Sequence, residues 1–414
     1  MQAGAPPDPF AVKGQNWGFP TYNWPRMRED GFAWWRQRFE QMARYFDAFR
    51  VDHILGFFRI WSIPLHAVEG ILGRFIPAIP VDVEEFGRLG IAFDRERFVT
   101  PFITDEILLA LFGGDCREVK QQFLNPLRPG RYALKPKFAT QRQVEQHFTA
   151  APPSERNQRL KLGLFDLISN VILLEDEFSP ENHFHFRFDV DGCASFRALE
   201  ASTQSRLKEF YVDYFYRRQD HFWMQEAMQK LPALKQVTNL LICGEDLGVV
   251  PACVPEAMRQ LGLLSLEIQR MPKKSGQEFF RPASAPYLSV VTPSTHDMST
   301  LRGWWREDWK LTQKFFNLEL GRAGEPPREC DPALVREIVG QHLACPAMWS
   351  IFQLQDLLGM DEHLRRSNPD EERINVPAIP NYYWCYRMHL TLEALLGAAS
   401  FNEELAKLVR ENGR

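Results

Sequence analysis

Apolar positions in this chain follow two rhythms, and the switches between them mark its elements. In Phe49-Arg50-Val51-Asp52-His53-Ile54, the apolar residues Phe49, Val51 and Ile54 predict a strand, and charged groups stand only where it would end. Asn239-Leu240-Leu241-Ile242-Cys243-Gly244-Glu245-Asp246-Leu247-Gly248 predicts a second short strand, closing on two acids and a glycine. Leu263-Leu264-Ser265-Leu266-Glu267-Ile268 predicts a third. Ser289-Val290-Val291-Thr292 predicts a fourth, which runs on through Pro293-Ser294-Thr295-His296-Asp297, and residues 350–356 predict a last. Elsewhere the period lengthens. Phe32, Trp35, Phe39, Met42, Tyr45 and Phe46 recur at three- and four-residue steps, which predicts a helix over 28–48. Further helices are predicted over 206–230, from near Pro255, from Thr300 to Trp309 and over 386–411.

Strands alternating with helices imply a parallel sheet. Residues 81–205 break that alternation. Helical pieces at 103–112, 140–149 and 155–175 are separated by polar loops containing Gly113-Gly114, Pro126, Pro129 and Pro152-Pro153. The expected division is therefore 1–80, an inserted and mostly helical subdomain at 81–205, and 206–414. Residues 4–24 read as loop, because Gly4, Pro6, Pro7, Gly14, Gly18 and Pro20 forbid a long helix or a central strand. Within them Gly14-Gln15-Asn16-Trp17-Gly18-Phe19-Pro20-Thr21-Tyr22-Asn23-Trp24 is rich in aromatics and amides. Rings of that kind stack on the C–H faces of sugars while amides take the hydroxyls; the plain alternative is a packing loop.

Composition narrows the field. Hydrophobic residues make up 45% and charged residues 25% of the 414, the balance of a water-soluble globular chain. A net charge of −4 gives no reason to expect nucleic acid or an acidic membrane as partner. Seven scattered cysteines with no C-x-x-C pair argue against a metal knuckle or a disulfide framework, and a reducing cytoplasm is expected. No apolar run approaches a membrane span, and Met1-Gln2-Ala3-Gly4-Ala5-Pro6-Pro7-Asp8 lacks the regions of a signal peptide. His183, His185 and Asp189 could share one strand face, but a metal site needs more ligands and a supporting shell, so these read as packing residues.

Three predicted strands end in acids: Asp52, Glu245 and Asp297. Acids at the ends of parallel strands gather on the carboxyl rim of the sheet, where (β/α)8 barrels place their chemistry. In a strand packed on both faces, Arg50 and Asp52 would be costly unless they met a partner or a ligand. Being two apart they point to one side, so the guanidinium would hold the carboxylate ionised, as a nucleophile requires; a structural ion pair is the alternative. Two carboxylates across a glycosidic bond suffice for retaining chemistry, and a third can support the transition state. Strand-end acids also serve metal-dependent barrel lyases. The lack of a convincing His/Asp/Glu ligand cluster favours glycosidic chemistry, with no cofactor and no metal.

These motifs resemble, in order, those of the 4-alpha-glucanotransferase family (amylomaltase or disproportionating enzyme, glycoside hydrolase family 77). Gly4-Ala5-Pro6-Pro7-Asp8 with Gly14-Gln15-Asn16-Trp17-Gly18 is similar to its substrate loop. Phe49-Arg50-Val51-Asp52-His53, Cys243-Gly244-Glu245-Asp246-Leu247-Gly248 and Ser294-Thr295-His296-Asp297 are similar to its nucleophile, acid/base and stabiliser strands, and Arg373-Ile374-Asn375-Val376-Pro377 to a later loop near substrate. Asp52 and Glu245 lie 193 positions apart (245 − 52), a gap like that of the plant cytosolic disproportionating enzyme with its insertion.

That resemblance implies an α/β fold of the (β/α)8 TIM type, here incomplete, with strands four to eight present and the chain read as the C-terminal portion of a longer enzyme. It implies that Asp52 attacks the anomeric carbon, Glu245 is the acid/base and Asp297 holds sugar hydroxyls beside His296. Asp8, Gln15, Trp17, Arg50, His53 and Asn375 would contact or line the way to substrate. The partners implied are α-1,4-glucans, maltose and glucose. A retaining α-glucan hydrolase and a non-catalytic glucan-binding fragment stay open beside it.

Overall fold

The computed structural model describes residues 1–414 except 9, 10, 275, 378, 380 and 381. The chain forms two compact units. One comprises Met1–Gln37, Leu55–Leu234 and Pro251–Val254; the other comprises Arg38–Ile54, Lys235–Val250 and Pro255–Arg414.

The second unit is built on five short strands: β1 (Ala48–Val51), β2 (Leu241–Gly244), β3 (Ser265–Ile268), β4 (Ser289–Thr292) and β5 (Trp349–Ser350). Each lies beside its successor and runs parallel to it. Phe49 faces Ile242 and Val51 faces Gly244 across β1 and β2. Cys243 bridges to Leu264 at the start of β3, with Gly244 N–H donating to Leu264 O at 2.8 Å. Ser265 pairs with Ser289, and Val290 with Trp349, to carry the series through β4 to β5. Helices intervene: Cys253–Leu261 between β2 and β3, and Leu301–Glu307, Trp309–Leu318 and Pro332–Leu343 between β4 and β5. The core between these helices is apolar, with Leu301, Trp305, Phe315, Leu334, Val335 and Ile338 all buried. Burying such side chains contributes roughly 1.5–3 kcal/mol each.

Only one face of β1 is covered. Phe49 and Val51 are buried, whereas the side chains of Arg50 and Asp52 are 39% and 79% exposed. The strand is therefore a half-open one, and its two charges meet water as well as each other.

The first unit is richer in antiparallel pairing than the pattern predicts. The segment read as loop holds strands Gln2–Ala5 and Gln15–Pro20, part of a four-stranded antiparallel sheet with Ile60–Ile63 and Arg74–Ile76. Its prolines are tolerated because Gln15–Pro20 is an edge strand and Pro20 is its last residue. Residues 81–205 contain helices such as Asp105–Phe112, Gln141–Thr149 and Glu155–Ile168, and also six strands of two to five residues among the described residues. Those strands make two small antiparallel sheets, and pieces so short leave no period to read.

Three predicted helices are interrupted. The one over 28–48 is split into Trp24–Glu29 and Ala33–Met42, because Gly31 and Phe32 take positive φ and Asp30 accepts the Ala33 N–H. The one over 206–230 is Ala201–Tyr216 followed by Asp220–Lys235, and the closing one starts only at Leu392 and breaks at Ala398. In place of a strand over 350–356 there is the two-residue β5 and then a helix, Leu354–Leu358. Among the described residues no helix is long and apolar enough to cross a membrane.

Candidate active site

The ends of β1 and β2 are locked together. Glu245 N–H donates to Val51 O at 2.9 Å and Ile54 N–H donates to Glu245 O at 3.0 Å. Between them His53 takes a left-handed φ of 51°, a conformation costly for a residue with a side chain. That turn aims its N–H at the Glu245 carboxylate, Oε2 at 2.8 Å, while Leu247 N–H reaches Oε1 at 3.0 Å. Asp52 leaves β1 at the same level and is held by Arg50, Nη1 to Oδ1 at 2.7 Å.

Burial pushes the Glu245 carboxyl above its usual range. The His53 N–H, the Arg50 charge and the Leu247 N–H oppose that push without cancelling it, and the Asp52 charge adds to it. Its neighbour Asp246, also past the end of β2, turns to other partners. Asp246 is 1% exposed, bonded to Lys273 at 2.7 Å and to Leu266 N–H at 2.9 Å, and burial raises its pKa to about 6. Of the two adjacent acids, Glu245 thus faces the Asp52 side and Asp246 fastens β2 to the chain around β3.

The third acid sits beyond β4. Asp297 Oδ2 lies 3.1 Å from His296 Nε2, and its Oδ1 accepts from Asn375 Nδ2 at 2.8 Å. Burial alone would raise this carboxyl; the bonds from His296 and Asn375 outweigh it, so Asp297 lies below its usual range. His296 is raised above its own, first by the bond to Asp297. Arg50 acts electrostatically on both His296 and Asp297, and Asp52 on His296, which ties this pair to the β1 end. Asp297 does not cap the helix that follows: Thr300 does, accepting from Gly303 N–H.

Arg270, which no sequence motif marks, shapes the loop carrying this pair. Its guanidinium donates to Pro293 O at 3.0 Å, Ser294 Oγ at 2.9 Å and Ser299 O at 2.5 Å. Its one sequence signal is a charge placed two residues past the apolar end of β3. Six of the sequence-selected residues other than the acid Glu245, namely Arg50, Asp52, His53, His296, Asp297 and Asn375, belong with it to the second unit. Asp8, Gln15 and Trp17 belong to the first. There Asp8 Oδ1 accepts from Ala11 N–H at 2.6 Å and Trp17 Nε1 donates to Gln15 Oε1 at 3.1 Å.

His185 is buried in the first unit between Tyr214 Oη at 2.7 Å and Asp176 Oδ2 at 2.9 Å. Among the described residues no three of His, Cys, Asp and Glu gather as a metal site would require.

Parallel strands that succeed one another in space, with acids leaving their carboxyl ends, define an α/β protein of the TIM-barrel type. The sequence pattern of the 4-alpha-glucanotransferase family matches residues 1–392, and the chain belongs to that family. It is 41% identical to 4-alpha-glucanotransferase DPE2 of Oryza sativa subsp. japonica over 99% of this chain and 44% of that protein. It is 22% identical to a 4-alpha-glucanotransferase of Chlamydia pneumoniae over 98% of this chain and 50% of that one. The chain thus spans about half the length of these curated relatives. Its fold is like that of an amylomaltase from Streptococcus agalactiae solved with acarbose, with a TM-score of 0.52 at 15% identity over 100% of this chain and 51% of the other.

Proposed function

We propose that this chain carries the chemistry of a 4-alpha-glucanotransferase, moving an α-1,4-glucanosyl unit from maltose or a maltodextrin to the 4-hydroxyl of glucose or a glucan. Asp52 attacks the anomeric carbon and forms an ester with it. The bond from that carbon to the glycosidic oxygen breaks, and the oxygen leaves with the proton of Glu245. The Glu245 carboxylate then takes the proton of the incoming 4-hydroxyl, whose oxygen displaces Asp52 and restores the original anomeric configuration. Asp297 and His296 hold hydroxyls of the donor sugar. His53 reaches an acceptor hydroxyl. On this reading β1–β5 are strands four to eight of an eight-stranded barrel, residues 81–205 are an insertion, and the protein works in the cytoplasm.

The observation that carries the reading is the coupling of the β1 and β2 ends through the His53 N–H and the Glu245 carboxylate. Burial raises the Glu245 carboxyl, and that N–H holds the side chain in place without cancelling the rise, which suits a proton donor. Asp52, across from it, is exposed beside a guanidinium. The test is Asp52→Asn, with products from maltotriose separated by chromatography. The parent should give glucose and a ladder of longer glucans, and the variant should lose transfer by about a thousandfold or more. Unchanged glucose release would refute Asp52 as nucleophile. Glucose without a ladder would replace transfer by hydrolysis, and a parent chain that binds glucan but turns nothing over would leave a binding module.

A further inference from the structure

The ring of Trp384 is 59% exposed. It packs on the imidazole of His296, with ring centroids 5.2 Å apart and planes inclined by 44°. His296 in turn holds Asp297. Asn375, nine residues before Trp384, approaches the same acid from its other oxygen. One stretch of chain therefore reaches the His296–Asp297 pair twice, once with an amide and once with an aromatic ring.

The two contacts differ in kind. The amide is buried and has its partner. The indole packs against the imidazole and has most of its surface open to water, and the acid that the imidazole holds is itself half-exposed. A large apolar ring left wet beside polar groups is the arrangement that a pyranose fits. A glucose ring is amphipathic: its hydroxyls lie in a belt, and its C–H bonds form two apolar faces. The acid and imidazole suit the belt, and an indole suits a face.

We propose that Trp384 is the aromatic wall of the sugar subsite at Asp297, stacking on the glucose ring whose hydroxyls Asp297 and His296 hold. This rests on the glucanotransferase reading. It adds a specificity role to a residue that lies outside the strand-end motifs. A planar ring against one sugar face rejects ligands that lack a flat apolar face and accepts any α-linked glucose, so it favours glucans over isomers with an axial group on that side.

The competing role is structural, with Trp384 serving only to prop His296. Binding and propping are separated by working in Asp52→Asn, which removes turnover and leaves affinity to be read alone. Maltoheptaose is titrated calorimetrically into Asp52→Asn, into Asp52→Asn with Trp384→Leu, and into Asp52→Asn with Trp384→Phe. The His296 ring protons are followed against pH by NMR in all three. The leucine variant should bind roughly three- to tenfold more weakly, the scale of one aromatic contact, and the phenylalanine variant should recover most of that loss. Equal affinity in the leucine variant and its parent overturns the proposal, as does a His296 titration that moves while affinity does not. Absence of maltoheptaose binding in Asp52→Asn itself also overturns it. A chain that binds but does not transfer refutes the proposed activity and leaves the role of Trp384 decided by the same titrations.

Discussion

Glu372 offers the sharpest test of how the second unit holds its site. It is 2% exposed and stands three residues before Asn375. Its carboxylate meets Arg302 Nη1 and accepts from Thr300 Oγ1 at 3.0 Å, so it ties the start of the helix Leu301–Glu307 to the segment that reaches Asp297. Arg302 is buried too and donates to Arg366 O at 2.8 Å. Burial drives the Glu372 carboxyl above its usual range, and the Arg302 charge pulls it back only in part.

Glu372→Ala leaves a buried guanidinium without its counter-charge, which costs about 3–5 kcal/mol. For a unit of roughly 150–250 residues, at about 2–4 °C per kcal/mol, the melting transition should fall by roughly 6–20 °C. Glu372→Gln keeps an acceptor for Thr300 and should fall between alanine and the parent. Replacing both partners, Arg302→Met with Glu372→Leu, removes the desolvation cost along with the pair and should return the chain to within about 1 kcal/mol of the parent. Scanning calorimetry reads all four. A loss under about 1 kcal/mol for the alanine variant, or a double variant as unstable as the single, would refute the reasoning.

His342 is buried and donates from Nδ1 to Ile338 O, and burial holds its pKa at about 4, below the ordinary value near 6.5. A depressed histidine pKa means stability fully present above about pH 6.5 and lost as pH falls towards 4, by roughly 3 kcal/mol; urea unfolding of His342→Gln at pH 7 and pH 4.5 should show a shallower pH dependence than the parent, and equal slopes would count against it. Asn375→Ala removes one of the two bonds that keep the Asp297 carboxyl low. A hydrogen bond to a charged group contributes about 1.5–3 kcal/mol, so transfer should drop about ten- to hundredfold, with the acid limb of the pH–rate profile moving to higher pH; an unmoved limb would dissociate Asn375 from the ionisation of Asp297.

The positions of the acids are legible in the sequence because each follows a short, mostly apolar stretch, Asp52 and Glu245 directly after β1 and β2 and Asp297 five residues after β4, and that is a local pattern. What each acid faces is not local. Glu245 and Asp246 are adjacent and chemically alike, and only the register of β2 against β1 and β3 turns one to the His53 N–H and the other to Lys273. The same limit governs β5, whose two residues have no period, and the helix break at Asp30-Gly31-Phe32, where positive φ at Gly31 and Phe32 and one capping carboxylate override the helical spacing of 28–48. Arg270 and Trp384 show the limit at the site itself. Each lies in a stretch with several candidates of its kind, and each is singled out by partners that come from β4's loop and not from its own neighbours in the chain. Helices and strands are written in short-range spacing; the orientation of a charge or a ring depends on which distant segment arrives beside it. That is why the acids could be named from the chain while the groups that aim them, His53 by its backbone and Asn375 by its amide, take their roles only from the fold.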